Sequence, residues 1–249
     1  MIELDERDEV AILRMADGKA NTMTTAFCEA MIARFKEVSP ARAVVIVGSG
    51  RIFSAGVDLV RLLEGGATYV RQFLPALSAM FATVFAHPKP VVAALNGHAI
   101  AGGCVLACAA DRRVMVRDTG RIGVTELLVG VPFPPIAIEI MRRATAPRYF
   151  EEVLFSGTTF DPQDAIARGF VHEIVESEML LDRAVAAAGA LAALPPAAFA
   201  VTKRQTRQPA FTGSASGGEV TDAEIEQIWT APETLARIRD YVERTLRKS

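Results

Sequence analysis

The chain has 249 residues, enough for one large domain or two small ones with a substantial buried core. Its 27 basic and 29 acidic side chains leave a formal charge of −2, which excludes the basic footprint of a nucleic-acid binder. Three cysteines, an odd count, argue against a disulfide framework and for a reducing compartment.

The N-terminal run Met1–Glu9 is acidic and lacks the basic start and apolar core of a signal peptide. Glu9–Arg14 reads as a short strand and Asp17-Gly18 as a turn. A helix is expected from Thr22 or Thr24, with Phe27, Met31, Phe35 and Val38 on one stripe, ending at Ser39-Pro40. The β-branched run 43–48, bounded by Gly48-Ser-Gly50, reads as a buried strand. Gly65-Gly66 interrupts an otherwise helical pattern over 61–73, which predicts a broken, mobile flap. A helix over about 75–86, the break Pro88-Lys-Pro90, and strands at 91–95 and 113–116 follow. Strands alternating with helices to about residue 130 predict a parallel sheet with crossovers.

Beyond residue 135 the pattern is mostly helical, with a helix start at Asp161-Pro162 and an Ala-rich helix at 184–194. Thr212–Gly218 reads as a flexible loop. Thr221–Glu224 and Thr230–Glu233 each match a capping box, so two helices are expected in the tail. No apolar stretch reaches membrane-spanning length, and the expectation is a cytoplasmic protein with neither nucleic acid nor membrane as partner. Low charge with positive mean hydropathy fits either a buried oligomer interface or an Ala/Val-rich core.

The stretch Asn96–Asp111 is the most informative. A turn leads into Gly102-Gly103, and the nearly apolar run 105–110 reads as a buried helix whose first N–H groups sit beside Gly102. Such an end gathers unpaired donors and favours an anion, although a glycine-lined helix packed on a strand explains the same residues. A second glycine-shaped turn, at Gly56, follows the strand over 43–48. Two such turns could aim N–H groups at one developing oxyanion.

Phe53-Ser-Ala-Gly-Val-Asp-Leu59 and Asn96-Gly-His-Ala-Ile-Ala-Gly-Gly103 resemble the two signature segments of the crotonase superfamily, the enoyl-CoA hydratases and isomerases. Lys19–Met23, Arg121–Gly130, Leu154–Gly157, Ala165–Val171 and Val201–Lys203 extend the likeness over nearly the whole chain, in order. The resemblance implies an α/β fold, a ClpP-like spiral of ββα units over residues 1–195. A C-terminal helical trimerisation region over 196–249 would complete a homotrimer or a dimer of trimers.

The resemblance also implies an acyl-CoA thioester substrate, with CoA as part of the substrate and no separate cofactor. By motif position the oxyanion donors are the N–H groups of Val57 and Gly102. Lys19, Ser54, Ala55, Gly56, Asp58, Leu59 and Gly103 fall at substrate- and CoA-binding positions, and Val105, Pro132 and Phe133 at the acyl pocket. Hydratases use two glutamates. Here the first position is Val105, which cannot activate water, while the second retains Glu126. On the residues alone Glu126 also reads as a first-turn acid serving a helix dipole.

A lone carboxylate with an oxyanion hole suits a proton shuttle. Glu126 would take a proton from C2 of a 3-enoyl thioester and return it to C4, as in the single-glutamate Δ3,Δ2-enoyl-CoA isomerase branch. The alternatives are a hydratase with a different second acid/base or an ordered water, a crotonase-type hydrolase, and a catalytically silent acyl-CoA-binding subunit. His98 fits a structural turn residue, and His87 and His172 have no partner at metal or triad spacing. Cys104 and Cys108 share a helical face without completing a zinc set, so no metal is expected. Gly48-Ser-Gly50 lacks the dinucleotide fingerprint, and no Gly-x-Ser-x-Gly elbow is present.

Overall fold

The computed structural model describes residues 1–208, 210 and 220–245. The loop expected at 212–218 lies outside the described residues. A six-stranded sheet has the order β1 (Ile2–Arg7), β2 (Val10–Met15), β3 (Ala43–Val47), β5 (Val91–Leu95), β7 (Arg112–Val116), β9 (Glu173–Val175). Only β1 and β2 run antiparallel, joined through Asp8 and Glu9, both at positive φ, as a tight hairpin turn requires. A second, parallel sheet of three short strands has the order β4 (Ile52–Ser54), β6 (His98–Ile100), β8 (Ile122–Gly123).

Each repeat thus gives one long strand to the first sheet, one short strand to the second, and then a helix: α2 (Leu59–Ala86), α3 (Gly102–Ala109) or α4 (Glu126–Val129). This is the expected spiral of ββα turns. The uniform apolarity of β3 and β5 reflects burial of both sheet faces. Val44, Ile46, Val91, Ala93 and Leu95 face the main core with α1 (Thr25–Glu37) and α3. Val45, Val47, Val92 and Ala94 face α8 (Leu180–Ala192) through Ala184, Val185 and Ala188. The remaining helices before the tail are α5 (Pro135–Ala144), α6 (Phe150–Ser156) and α7 (Pro162–Ala167).

Helix starts follow side-chain caps. Thr24 Oγ1 accepts from Phe27 N at 3.1 Å, Asp161 Oδ1 from Asp164 N at 2.9 Å, and Thr221 Oγ1 from Glu224 N at 3.1 Å. The break expected at Gly65-Gly66 is present: residues 61–73 are helical within α2, which kinks at Gly66 (φ 55°, ψ −155°), a backbone state almost reserved for glycine. Leu62, Val70, Phe73 and Leu74 are buried on either side of the kink. The second capping box is corrected. Thr230 ends a helix, its Oγ1 donating to Glu226 O at 2.8 Å, and the next helix starts at Pro232 after Ala231.

Among the described residues, the tail carries α9 (Pro196–Arg207), α10 (Asp222–Thr230) and α11 (Pro232–Thr245). Ile225, Trp229 and Ile238 from α10 and α11 pack with Leu62, Val70, Leu74, Val129 and Val131. The last two helices therefore close over α2 and α4 of their own chain. Among the described residues, no single helix is long and apolar enough to cross a membrane.

Candidate active site

The site is built where the second sheet hands the chain to its helices. Ser54, at the end of β4, is fully buried; its Oγ donates to Asn21 O at 2.8 Å and accepts from Gly56 N at 3.2 Å. That clamp shapes the turn at Gly56, whose φ is +83°. Met23 N donates to Gly56 O at 2.8 Å and Asp58 N to Met23 O at 3.1 Å, so this parallel bridge skips the intervening Val57 N–H. Asp58 then caps α2, Oδ1 accepting from Arg61 N at 2.9 Å.

The matching turn lies at the end of β6. Ala101 N donates to Gly123 O at 2.8 Å, and Ala101 itself adopts φ 51° and ψ −125°, a strained state for a residue with a Cβ. Its carbonyl accepts from Cys104 N at 2.8 Å and Val105 N at 3.1 Å. The N–H groups of Gly102 and Gly103 precede these bonds in the first turn of α3 and have no intrahelical acceptor. The two turns touch: a Cβ on Gly56 would lie 3.0 Å from Gly102 N and 2.8 Å from Ile100 O.

A cavity of about 390 Å³ opens over both turns, lined by Ala55, Val57, Ile100 and Ala101 on one side and by Thr125, Glu126, Val129 and Val131 on another. Glu126 is the first residue of α4. Its Oε2 is buried without a hydrogen-bond partner. Burial raises the carboxyl pKa from 4.5 to about 7, against the pull of the backbone N–H groups of Glu126 and Thr125. The other carboxylate on the wall, Asp58, is spent on the cap and on Thr22 Oγ1, which donates to it at 3.3 Å.

Of the sequence-predicted residues, Ala55, Val57, Asp58, Leu59 and Glu126 line this cavity, and Gly56 and Gly102 lie directly behind its wall. Others do not line it. Val105 is 1% exposed and belongs to the main core, because α3 is buried on every side. Phe133 also packs into that core, and Pro132 enters the site only through its carbonyl, so Val129 and Val131 form the wall assigned to them. Gly103 is a packing glycine, since a Cβ there would collide with the Ser54 carbonyl. Ser54 is sealed by its own hydrogen bonds, and Lys19 stands exposed beside the lining residue Ala20.

Trp229, Tyr241 and Thr245 from the tail helices also line the cavity, and sequence reasoning missed them. The single tryptophan, on the apolar face of a helix beyond the motifs, was the available signal. Cys104 and Cys108 are buried free thiols, and no group of ligands able to hold a metal occurs among the described residues.

The family model for enoyl-CoA hydratase/isomerase matches residues 5–234. A Thermus thermophilus protein named as an enoyl-CoA hydratase is 36% identical over 165 residues, which are 65% of this chain and 64% of that one, just under two thirds of its length. A Mycobacterium tuberculosis protein, named an enoyl-CoA isomerase in one solved structure and an enoyl-CoA hydratase in another, is 31% identical in the first, covering 91% of this chain and 96% of that chain at a TM-score of 0.80. Human mitochondrial Δ3,Δ2-enoyl-CoA isomerase shares the fold at a TM-score of 0.91, with 21% identity over 100% of this chain and 99% of that one. The chain belongs to the enoyl-CoA hydratase/isomerase family of the crotonase superfamily.

Proposed function

We propose that this protein is a CoA-thioester double-bond isomerase that converts 3-enoyl-CoA to 2-enoyl-CoA with Glu126 as its sole acid/base. The observation that carries this reading is the state of Glu126: a half-buried residue on the wall of a mostly apolar cavity, its Oε2 buried and unpartnered, with a pKa raised to about 7. A base with that pKa accepts and returns a proton near neutrality with little penalty in either direction.

In the proposed reaction the thioester oxygen accepts hydrogen bonds from Val57 N–H and Gly102 N–H. Ionised Glu126 removes a proton from C2, and the electron pair delocalises through the carbonyl and the C3–C4 double bond as a dienolate. The oxyanion donors stabilise this charge, each by about 10²–10³-fold in rate. Protonated Glu126 then delivers the proton to C4, the double bond settles between C2 and C3, and the carboxylate is regenerated. No water is consumed. The cavity fits the acyl group and thioester arm, while the CoA nucleotide would remain outside, with Lys19 exposed nearby. The family resemblance carries a homotrimer or a dimer of trimers into the same proposal.

A second reading, enoyl-CoA hydration, is favoured by the hydratase name of the Thermus relative. It would require Asp58, the other lining carboxylate, or an ordered water to replace the glutamate that Val105 displaces. Product NMR separates the readings. Incubation with trans-3-hexenoyl-CoA labelled with deuterium at C2 should give the 2-enoyl isomer with label at C4. Formation of 3-hydroxyacyl-CoA from crotonyl-CoA would favour hydration, and neither product would leave a binding subunit or a different acyl group.

A further inference from the structure

Outside the two glycine turns, the cavity wall includes the large side chain of a tail helix, Trp229. Trp229 lies on α10, far along the chain from either turn, yet its indole forms part of the wall beside Val129 and Val131. It is 2% exposed. Behind it stand Leu62, Val70, Leu74, Ile225 and Ile238, a closed apolar cluster. Trp229 thus belongs both to the cavity wall and to the apolar cluster formed with α2, α10 and α11.

Its position is held by one hydrogen bond and by the apolar packing around it. Trp229 Nε1 donates to Pro132 O at 2.9 Å. Pro132 sits in Pro-Phe-Pro-Pro, where three ring-locked φ angles stiffen the acceptor. On the other side, Arg71 Nε pairs with Glu226 Oε1 at 3.3 Å, tying α10 to α2. A buried tryptophan with its one donor satisfied cannot swing aside without breaking that hydrogen bond.

We propose that Trp229 is a specificity-determining residue that sets the upper length of the acyl group, by closing the cavity against the apolar cluster behind it. This inference rests on the acyl-thioester reading of the site. The acyl tail enters past Glu126 towards Val129 and Val131 and stops at the indole. Short and medium unbranched acyl groups fit; longer ones must displace the ring and break its bond to Pro132. Replacing the indole by a smaller apolar group opens space that is already dry and apolar, so it accepts further methylenes.

The test measures two ratios for wild type, Trp229→Ala and Trp229→Leu. One is the Kd ratio of decanoyl-CoA to hexanoyl-CoA, saturated ligands that need no chemistry. The other is the kcat/KM ratio for trans-3-decenoyl-CoA over trans-3-hexenoyl-CoA. A pocket discriminates by about tenfold or more per methylene accommodated or refused. Both ratios should therefore move at least about tenfold towards the longer chain in Trp229→Ala, and by less in Trp229→Leu. Unchanged ratios in a variant with native circular dichroism overturn the proposal. Should Trp229→Ala fail to fold, Trp229→Leu decides alone. A shifted Kd ratio without turnover by any form supports the wall while sinking the isomerase reading, so the two failures are distinguishable.

Discussion

Gly56 and Gly102 meet across the floor of the cavity, so close that a Cβ on Gly56 would lie 3.0 Å from the Gly102 nitrogen. Gly56 faces backbone and has no room for a side chain, whereas a Cβ on Gly102 would press on the Met23 sulfur at 3.0 Å; the contact between the turns sets the spacing between the two N–H donors. Gly56→Ala combines this crowding with a φ of +83° that disfavours any L-residue. We expect kcat to fall by about 10²–10³-fold, the worth of one misplaced oxyanion donor. Stability should fall by about 1–2 kcal/mol from the backbone conformation alone. Steady-state kinetics and urea unfolding on the same preparation check both.

Glu126 links activity to pH in one direction and stability in the other. As a base it must be ionised, so kcat/KM should rise with pH through about 7 and level off above it. Its folded pKa is raised above the ordinary 4.5, so the native state holds this proton more tightly than the unfolded chain does. Stability from this group is then full below pH 4.5 and is lost as pH rises through about 7, by roughly 3 kcal/mol in all. Glu126→Gln should remove that loss. Its stability relative to wild type should rise between pH 5 and pH 8, as chemical denaturation at the two pH values would show.

Gly103 and Gly102 are adjacent in sequence but differ in role. A methyl group at 103 meets the backbone carbonyl of Ser54, which is held by the β4–β6 pairing and by the Ser54 hydroxyl clamp. Gly103→Ala should cost about 1–3 kcal/mol through overpacking. Thermal melting should register this cost before any effect on CoA binding, measured by calorimetry on the folded fraction.

Asp58 caps α2 and does not take part in the proposed proton shuttle. Asp58→Asn keeps an acceptor for Arg61 N and should leave stability and kcat near wild type. Asp58→Ala should cost about 1 kcal/mol. A loss of kcat in Asp58→Asn comparable to that in Glu126→Gln would instead give Asp58 a part in the chemistry. The comparison needs only matched kinetics and melting curves.

The parts legible in the sequence are those whose signal is local. The runs at β3 and β5 are apolar throughout because both faces of the sheet are buried, and paired glycines mark the start of α3. Strand β1 escaped notice because only Ile2 of its residues is buried, leaving no alternation to read. Strands β4, β6 and β8 span two or three residues each, too few for any period. The Gly65-Gly66 break and the helical pattern beyond it were visible, but not that the segment joins the helix over 75–86 as one element, which depends on Val70, Phe73 and Leu74 finding a core.

The site divides the same way. Val57, Gly102 and Glu126 stand in motifs, whereas Trp229 and Tyr241 reach the cavity only because the tail helices fold back over α2 and α4. Val105 and Phe133 were placed at the acyl pocket by motif position alone; their packing into the main core is decided by helices α3 and α5 meeting across it.

The central claim is that one carboxylate, Glu126, moves the proton. It is tested most directly by incubating wild type and Glu126→Gln with trans-3-hexenoyl-CoA and, separately, crotonyl-CoA. The account predicts conversion of the 3-enoyl compound to its conjugated isomer by wild type, loss of about 10²–10⁴-fold in the variant, and no hydration of crotonyl-CoA by either. Hydration of crotonyl-CoA by wild type, or isomerisation undiminished in Glu126→Gln, would contradict it.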